Sequence, residues 1–322
     1  MVVAGPLVQG PLPFQMPLLL SVKDETTARE AVSMLQRRGV DFIKVQDALP
    51  RRLYFAILDE ARRKNISVAG HIPPTVLAAE VSDAGQASIE HLGGRFFGVL
   101  VGCSREGDAL HKVAADLYGA ILAALERKEE PPKTNMKAAF SRRLADGYSE
   151  PKAMALFDRF VRNGTWQCPT LVSLKELWES DSTGLTAEDL RAGSEVYEKE
   201  VEVIRGMRRA GVRFLAGTDL SPRQELANLH DELSLLVEAG FTPMEALQTA
   251  TSNAAQFSGR LREEGTVEEG KVADLVLLEA DPLQDIAATR RIVAVILGGR
   301  LIPKPRLEEM RAPQGKHGAA QQ

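Results

Sequence analysis

Four short apolar stretches of this chain each end on or beside a residue able to bind a metal ion or move a proton. They are Lys44 in "VDFIKVQD", His71 in "ISVAGH", His91 in "ASIEH" and Asp219 in "VRFLAGTD". Neutral imidazoles are standard ligands of zinc and similar ions, and a carboxylate nearby is either a further ligand or a base for the proton of an attacking water. A lone histidine after a strand more often just satisfies its hydrogen bonds. Two in successive units, with a lysine and an aspartate in the same relative place, point to one common metal site.

Lys44 poses its own problem. Alternation along a strand sends Phe42 and Lys44 to one face and Ile43 and Val45 to the other. If the branched pair faces covering helices, the ammonium points inward. There it must be paired, neutral or chemically modified, unless it reaches past the strand end to solvent.

The elements that would position these residues alternate. Ala28, Ala31, Val32 and Leu35 recur at helical spacing, Gly39 is a stop signal, and the Lys44 strand follows. Helix "RRLYFAILDEARRKN" leads to the His71 strand, and "TVLAAEVSDAG" to the His91 strand. Helix "PKAMALFDRFVRN" precedes strand "TWQCPTLV", and a long helix from about Ala187 to Ala210 precedes the Asp219 strand. Such alternation predicts βαβ crossovers and a parallel sheet. Residues at the C-terminal ends of such strands converge when the sheet closes into a TIM-type barrel. Residues 96–150 are less regular and read as an insertion over one face. Helices "LANLHDELSLLVEAG" and "TPMEALQTATSNAAQF" come next, the second opening on a Thr242–Pro243 cap.

After Gly259 the texture changes to glycine-punctuated β segments, which predicts a barrel over 1–259, a small β domain over 260–312 and a disordered tail over 313–322. The net charge is −4, from 40 basic and 44 acidic side chains, which gives no basic surplus for nucleic acid or an anionic membrane. Two cysteines, Cys103 and Cys168, are too few for a disulfide framework or a thiolate metal site. The longest apolar N-terminal run, Met16 to Leu20, is far short of a membrane span, and no basic segment precedes it as in a signal peptide. The chain as given reads as cytoplasmic.

"FIKV", "VAGH", "SIEH" and "LAGTD" in this order, followed by "GTVEEGKVADLVLLEADPLQDI", resemble the amidohydrolase superfamily, especially its imidazolonepropionase-like and prolidase-like branch. The resemblance extends over nearly the whole chain. It implies a TIM-type (β/α)8 barrel holding one or two divalent ions, commonly zinc, and a small β-sandwich domain. It further implies a carboxylated lysine at Lys44, where CO2 bound as a carbamate converts a buried cation into an anionic ligand. By the same carry-over His71 and His91 bind one ion, while Asp219 binds the other and shuttles protons. The implied function is hydrolysis of carbon–nitrogen bonds in amides, cyclic amides or dipeptide-like small molecules by metal-activated water.

The chain also departs from the family. Its five histidines are His71, His91, His111, His230 and His317, and none forms the His-x-His pair of the family's first strand. Only "MVVAGPLV" precedes Lys44 as a strand, giving about six of the eight strands that closure requires. The expectation is a barrel incomplete at its N-terminus, with at most one tightly held ion and any export signal lost with the missing part. Two exposed sheet edges would then call for a complementing chain or a homo-oligomer. The alternative is a catalytically impaired fragment or pseudo-enzyme that acts, if at all, as a binding or assembly partner.

Three further residues bear on the pocket. Gln46 stands where many relatives place a tyrosine, and Thr170 is placed to line the pocket. His230 in "LHDEL", similar to a His-x-Glu-Leu of relatives, either orients Asp219 or a substrate or is a partly exposed helical histidine.

Overall fold

The computed structural model describes residues 2–12, 17–132, 137–179, 185–219 and 229–311. Two compact units emerge, Met1–Phe241 and Thr242–Gln322.

The first unit begins with β1 (Leu7–Gln9), β2 (Leu19–Ser21), α1 (Glu25–Arg37), β3 (Phe42–Val45), α2 (Arg51–Arg63), β4 (Ser67–Gly70), α3 (Ala78–Asp83) and β5 (Ser88–Glu90). It continues through α4 (Gly98–Gly102), α5 (Gly107–Glu126), α6 (Ala138–Asp146), α7 (Glu150–Asn163), β6 (Trp166–Cys168), α8 (Leu171–Glu179), α9 (Ala187–Arg209) and α10 (Leu229–Glu238). The six strands form one sheet in the order β2-β1-β3-β4-β5-β6. Every pairing in it is parallel.

The helices start and stop where local chemistry dictates. Asp24 caps α1, accepting from the Thr27 backbone N–H at 2.8 Å, and Thr186 with Asp189 forms a reciprocal box at the start of α9. Ala28, Ala31, Val32 and Leu35 of α1 are all buried, as their spacing predicts. On the sheet, Ile43 and Val45 of β3, Val68 of β4 and Ile89 of β5 are buried. Their alternates Phe42 and Lys44 are only partly covered. This matches the two faces read from the alternation.

Several expectations need correction. Segment 212–219 is not a strand: its pairing with β6 is the single bridge Gln167↔Phe214. The sixth strand is instead β2, from the apolar run before Ser21, and it lies outside β1. Among the described residues no pairing joins β2 to β6, so the sheet is a parallel row and not a closed barrel. "TWQCPTLV" yields strand only to Cys168, because Thr170 turns left-handed at φ +52° and α8 begins at Leu171. The insertion over 96–150 is largely helical, in α4, α5 and α6.

The second unit holds α11 (Pro243–Ala250), α12 (Ser252–Phe257), β7 (Leu275–Leu278), β8 (Ile292–Leu297), β9 (Arg300–Pro303) and α13 (Lys304–Arg311). Thr242 and Glu245 cap α11 reciprocally, with proline in its first turn. The single helix expected over 242–257 is broken at Thr251, whose φ of −127° and ψ of −94° leave the helical region. Both helices group with this unit and not with the sheet of the first. Its strands make one antiparallel three-stranded sheet in the order β7-β8-β9. The tail expected over 313–322 lies outside the described residues. Among the described residues no helix is long and apolar enough to cross a membrane.

Candidate functional site

The parallel register brings the strand ends together. Lys44 pairs with Ala69, Ala69 with Ser88, and Glu90 with Cys168. One side of the sheet thus carries Lys44 and Glu90 within reach of the residues that follow β4 and β5. Gly70 makes the close approach possible. At φ +128° it sits where a Cβ would lie 2.2 Å from the Val45 carbonyl oxygen, and the next N–H, of His71, donates to that same oxygen at 3.1 Å.

All four residues singled out by the sequence converge. Lys44 Nζ lies 2.5 Å from Glu90 Oε2. The same Glu90 oxygen is 3.9 Å from His91 Nε2, and Asp219 Oδ2 is 3.7 Å from that nitrogen. The His71 and His91 rings meet edge to face with centroids 4.9 Å apart. His71, Glu90 and His91 each offer a ligand atom within 4.8 Å of the other two, a spacing suited to a shared cation.

Each imidazole is fixed from behind. His91 Nδ1 lies 2.6 Å from Thr170 Oγ1, and the Thr170 hydroxyl also reaches the Pro169 carbonyl at 2.7 Å. His71 Nδ1 lies 3.0 Å from Asp47 Oδ1. Both rings therefore leave Nε2 as the remaining donor atom. The loop residues are held in costly conformations: His91, Thr170 and Asp219 all have positive φ, at 52°, 52° and 47°. Such backbone costs on the order of 1–3 kcal/mol per residue and persists only where its surroundings over-determine it.

Electrostatics separate the two histidines. Burial, aided by the neighbouring His71, lowers the His91 pKa to about 4, so its ring is neutral near pH 7 and suited to ligation. Burial also disfavours the His71 imidazolium, but Asp47 and Glu90 together overcome it and raise the pKa. For Lys44 burial is likewise overcome, by Glu90 first and then Asp219, and the ammonium is favoured.

Glu232 extends the arrangement. It is buried in α10, and its Oε2 accepts from the Val172 N–H at 3.0 Å, at the first turn of α8. A carboxylate at the start of α8 satisfies donors the helix cannot, and here it pins the left-handed turn that presents Thr170 to His91. Burial nonetheless pushes the Glu232 pKa up to about 7.

The profile of the amidohydrolase family matches residues 112–302, more than half of the chain. The chain belongs to the amidohydrolase family. The matched region contains Thr170, Asp219 and His230, while Lys44, His71 and His91 precede it. Ochratoxinase from Aspergillus niger is 33% identical over 137 residues, which cover 39% of this chain and 27% of that protein. Imidazolonepropionase from Pyrobaculum arsenaticum is 46% identical over 72 residues, covering 22% of this chain and 18% of its own length. Among solved structures, A. niger ochratoxinase superimposes with a TM-score of 0.63 at 20% identity, over 92% of this chain and 65% of that one. A Xaa-Pro dipeptidase with bound methionine gives 0.60 at 20% identity, over 88% and 59%. At that identity the likeness shows the fold alone, and the chain spans less than two thirds of either solved chain.

Two further residues expected at the pocket, Gln46 and His230, are both half-buried. The Gln46 N–H donates to the Val8 carbonyl at 3.1 Å. His230 stands at the start of α10, its carbonyl accepting from the Ser234 hydroxyl at 2.9 Å. Conversely, Glu90, Asp47 and Glu232 were not singled out in the sequence. Glu90 was within reach, because alternation in "SIE" puts it on the face of Ser88 and Lys44. Asp47 and Glu232 act through contacts distant in the chain, and no local pattern marks them.

Proposed function

We propose that this chain is a metal-dependent hydrolase of carbon–nitrogen bonds in small molecules, with amides, cyclic amides and dipeptide-like compounds as the substrate class. The observation that carries this reading is the convergence of Lys44, His71, His91 and Asp219 on one cluster at the strand ends. The names of the relatives support it, since ochratoxinase, imidazolonepropionase and a Xaa-Pro dipeptidase recur among them. A parallel row of strands, of the kind from which TIM-type barrels are built, accommodates such a site at its C-terminal ends.

The donor set fits a divalent ion, zinc in the first instance. His71 and His91 would hold it through Nε2, with an anionic oxygen from Glu90 or from a carboxylated Lys44 as third ligand, and at most one ion bound per chain. When bound, such an ion supplies Lewis acidity, polarising a carbonyl and lowering the pKa of water toward about 7.

The residues then divide the work. Asp219 is half-exposed at the mouth of the cluster, where its carboxylate takes the proton of the attacking water and returns it to the leaving nitrogen. Glu90 has a second task. Carboxylation of Lys44 starts from the ammonium and releases two protons as the amine joins CO2; Glu90 Oε2, 2.5 Å away, is placed to take the first, and the second passes to solvent. Thr170 and Asp47 hold the imidazoles from behind.

The test is a hydrolysis assay over N-acyl dipeptides, Xaa-Pro dipeptides and cyclic amides, in the presence of zinc or manganese. Turnover in at least one class, lost by about 10²–10⁴-fold in Asp219→Asn, is expected. Absence of turnover throughout, or full activity in Asp219→Asn, contradicts the reading.

A further inference from the structure

We infer that Asp47 is a positioning residue that sets the tautomer and ring direction of His71. Asp47 follows β3 and His71 follows β4, so their meeting is a product of sheet register, with Val45 opposite Gly70. The Asp47 Oδ1 to His71 Nδ1 separation is 3.0 Å. Both atoms are buried, and among the described residues neither meets hydrogen-bond geometry with any partner, so at 3.0 Å each is the polar neighbour the other has. The carboxylate caps no helix and pairs with no arginine or lysine there. Its chemistry is spent on one ring nitrogen.

The loop that follows His91 closes over this pair. Gly94 has a φ of +83°, and a Cβ on it would lie 2.6 Å from Asp47 Oδ1 and 2.8 Å from His71 Nδ1. Only a residue without a side chain can pass there. Ala48, the next residue, packs with the buried cluster of Phe96, Ala114, Leu117 and Tyr118, and the His71 and Asp47 side chains are only 12% and 14% exposed, a shielding from water that strengthens their attraction. A carboxylate accepting from Nδ1–H leaves Nε2 unprotonated and more basic, the state a ligand nitrogen needs. The residue two past the β3 strand and the second glycine of "HLGG" thus meet at the His71 ring.

This inference deepens the metal reading above, and its test separates the two. The variants are Asp47→Ala, the near-isosteric Asp47→Asn, and Gly94→Ala, each checked for folding by circular dichroism. The first readout is the His71 tautomer of the metal-free protein at pH 8.5–9, from long-range proton–nitrogen correlation of the imidazoles. Wild type is expected to show one Nδ1–H tautomer, with Asp47→Ala and Gly94→Ala mixing the two and Asp47→Asn, whose side-chain oxygen still accepts, largely keeping it. The second readout is zinc affinity by chelator competition, expected to fall about 10–100-fold in Asp47→Ala. An unchanged tautomer in Asp47→Ala overturns the inference whatever the zinc result. If wild type binds no zinc, the metal reading falls while the tautomer still decides the role of Asp47.

Discussion

Lys44 Nζ and Glu90 Oε2 stand 2.5 Å apart at the ends of neighbouring-but-one strands, and Glu90 is at the same time part of the trio with His71 and His91. One carboxylate therefore faces both the amine and the imidazoles. Its removal should be felt on both sides. Glu90→Gln is expected to destabilise the fold by about 1–3 kcal/mol, between the costs of breaking an exposed and a buried pair, as read by urea denaturation. It should also abolish incorporation of ¹³C-labelled bicarbonate at Lys44, seen by carbon NMR. Retained labelling would remove Glu90 from the proton-accepting role.

Lys44→Ala tests the carbamate from the other end. If the modified lysine holds the ion, the variant purifies without zinc by elemental analysis. Zinc content equal to wild type would leave Glu90 as the acidic ligand and discard the carbamate.

Glu232 holds the turn behind His91 by accepting the Val172 N–H at the start of α8. Glu232→Ala leaves that donor buried and unpaired, with an expected loss of about 1–3 kcal/mol. The perturbation should also reach His91 through Thr170, whose hydroxyl is 2.6 Å from the ring. A chemical-shift change at the His91 imidazole checks this, and an unmoved resonance would uncouple the two.

Burial raises the pKa of two carboxyls outside the ligand set, Glu200 to about 8 and Glu232 to about 7. In both cases the folded value lies above the unfolded one of about 4.3. The native state then holds protons that the unfolded state has released. Their contribution to stability is full below about pH 4.3 and is lost as pH rises through 7 and 8. At about 1.4 kcal/mol per unit, the loss is on the order of a few kcal/mol. Glu200→Gln should flatten it, with a larger gain in melting temperature at pH 9 than at pH 5. An equal gain at both would mean that Glu200 is not protonated in the native protein.

The strand ends were legible because a strand and its terminal polar residue lie within a few positions of each other. Lys44, His71, His91 and Asp219 could be named from alternation and turn signals alone, and the structure brings them together. What escaped was non-local. Phe214 touches β6 by one bridge, although "VRFLAGTD" has every local feature of a strand. Leu19–Ser21 became an edge strand because β1 accepts it. Asp47 lies past the end of its strand, where alternation no longer says which way a side chain points. Its value depends on Gly94, nearly fifty residues on.

The central claim is that the strand ends form one cation site. Its most direct test is the stoichiometry of bound zinc, measured by elemental analysis after dialysis, in wild type and in the His71→Ala/His91→Ala double variant. The account predicts at most one ion per chain, present in wild type and absent from the variant. No ion in wild type, two ions, or an ion retained without both imidazoles would contradict it.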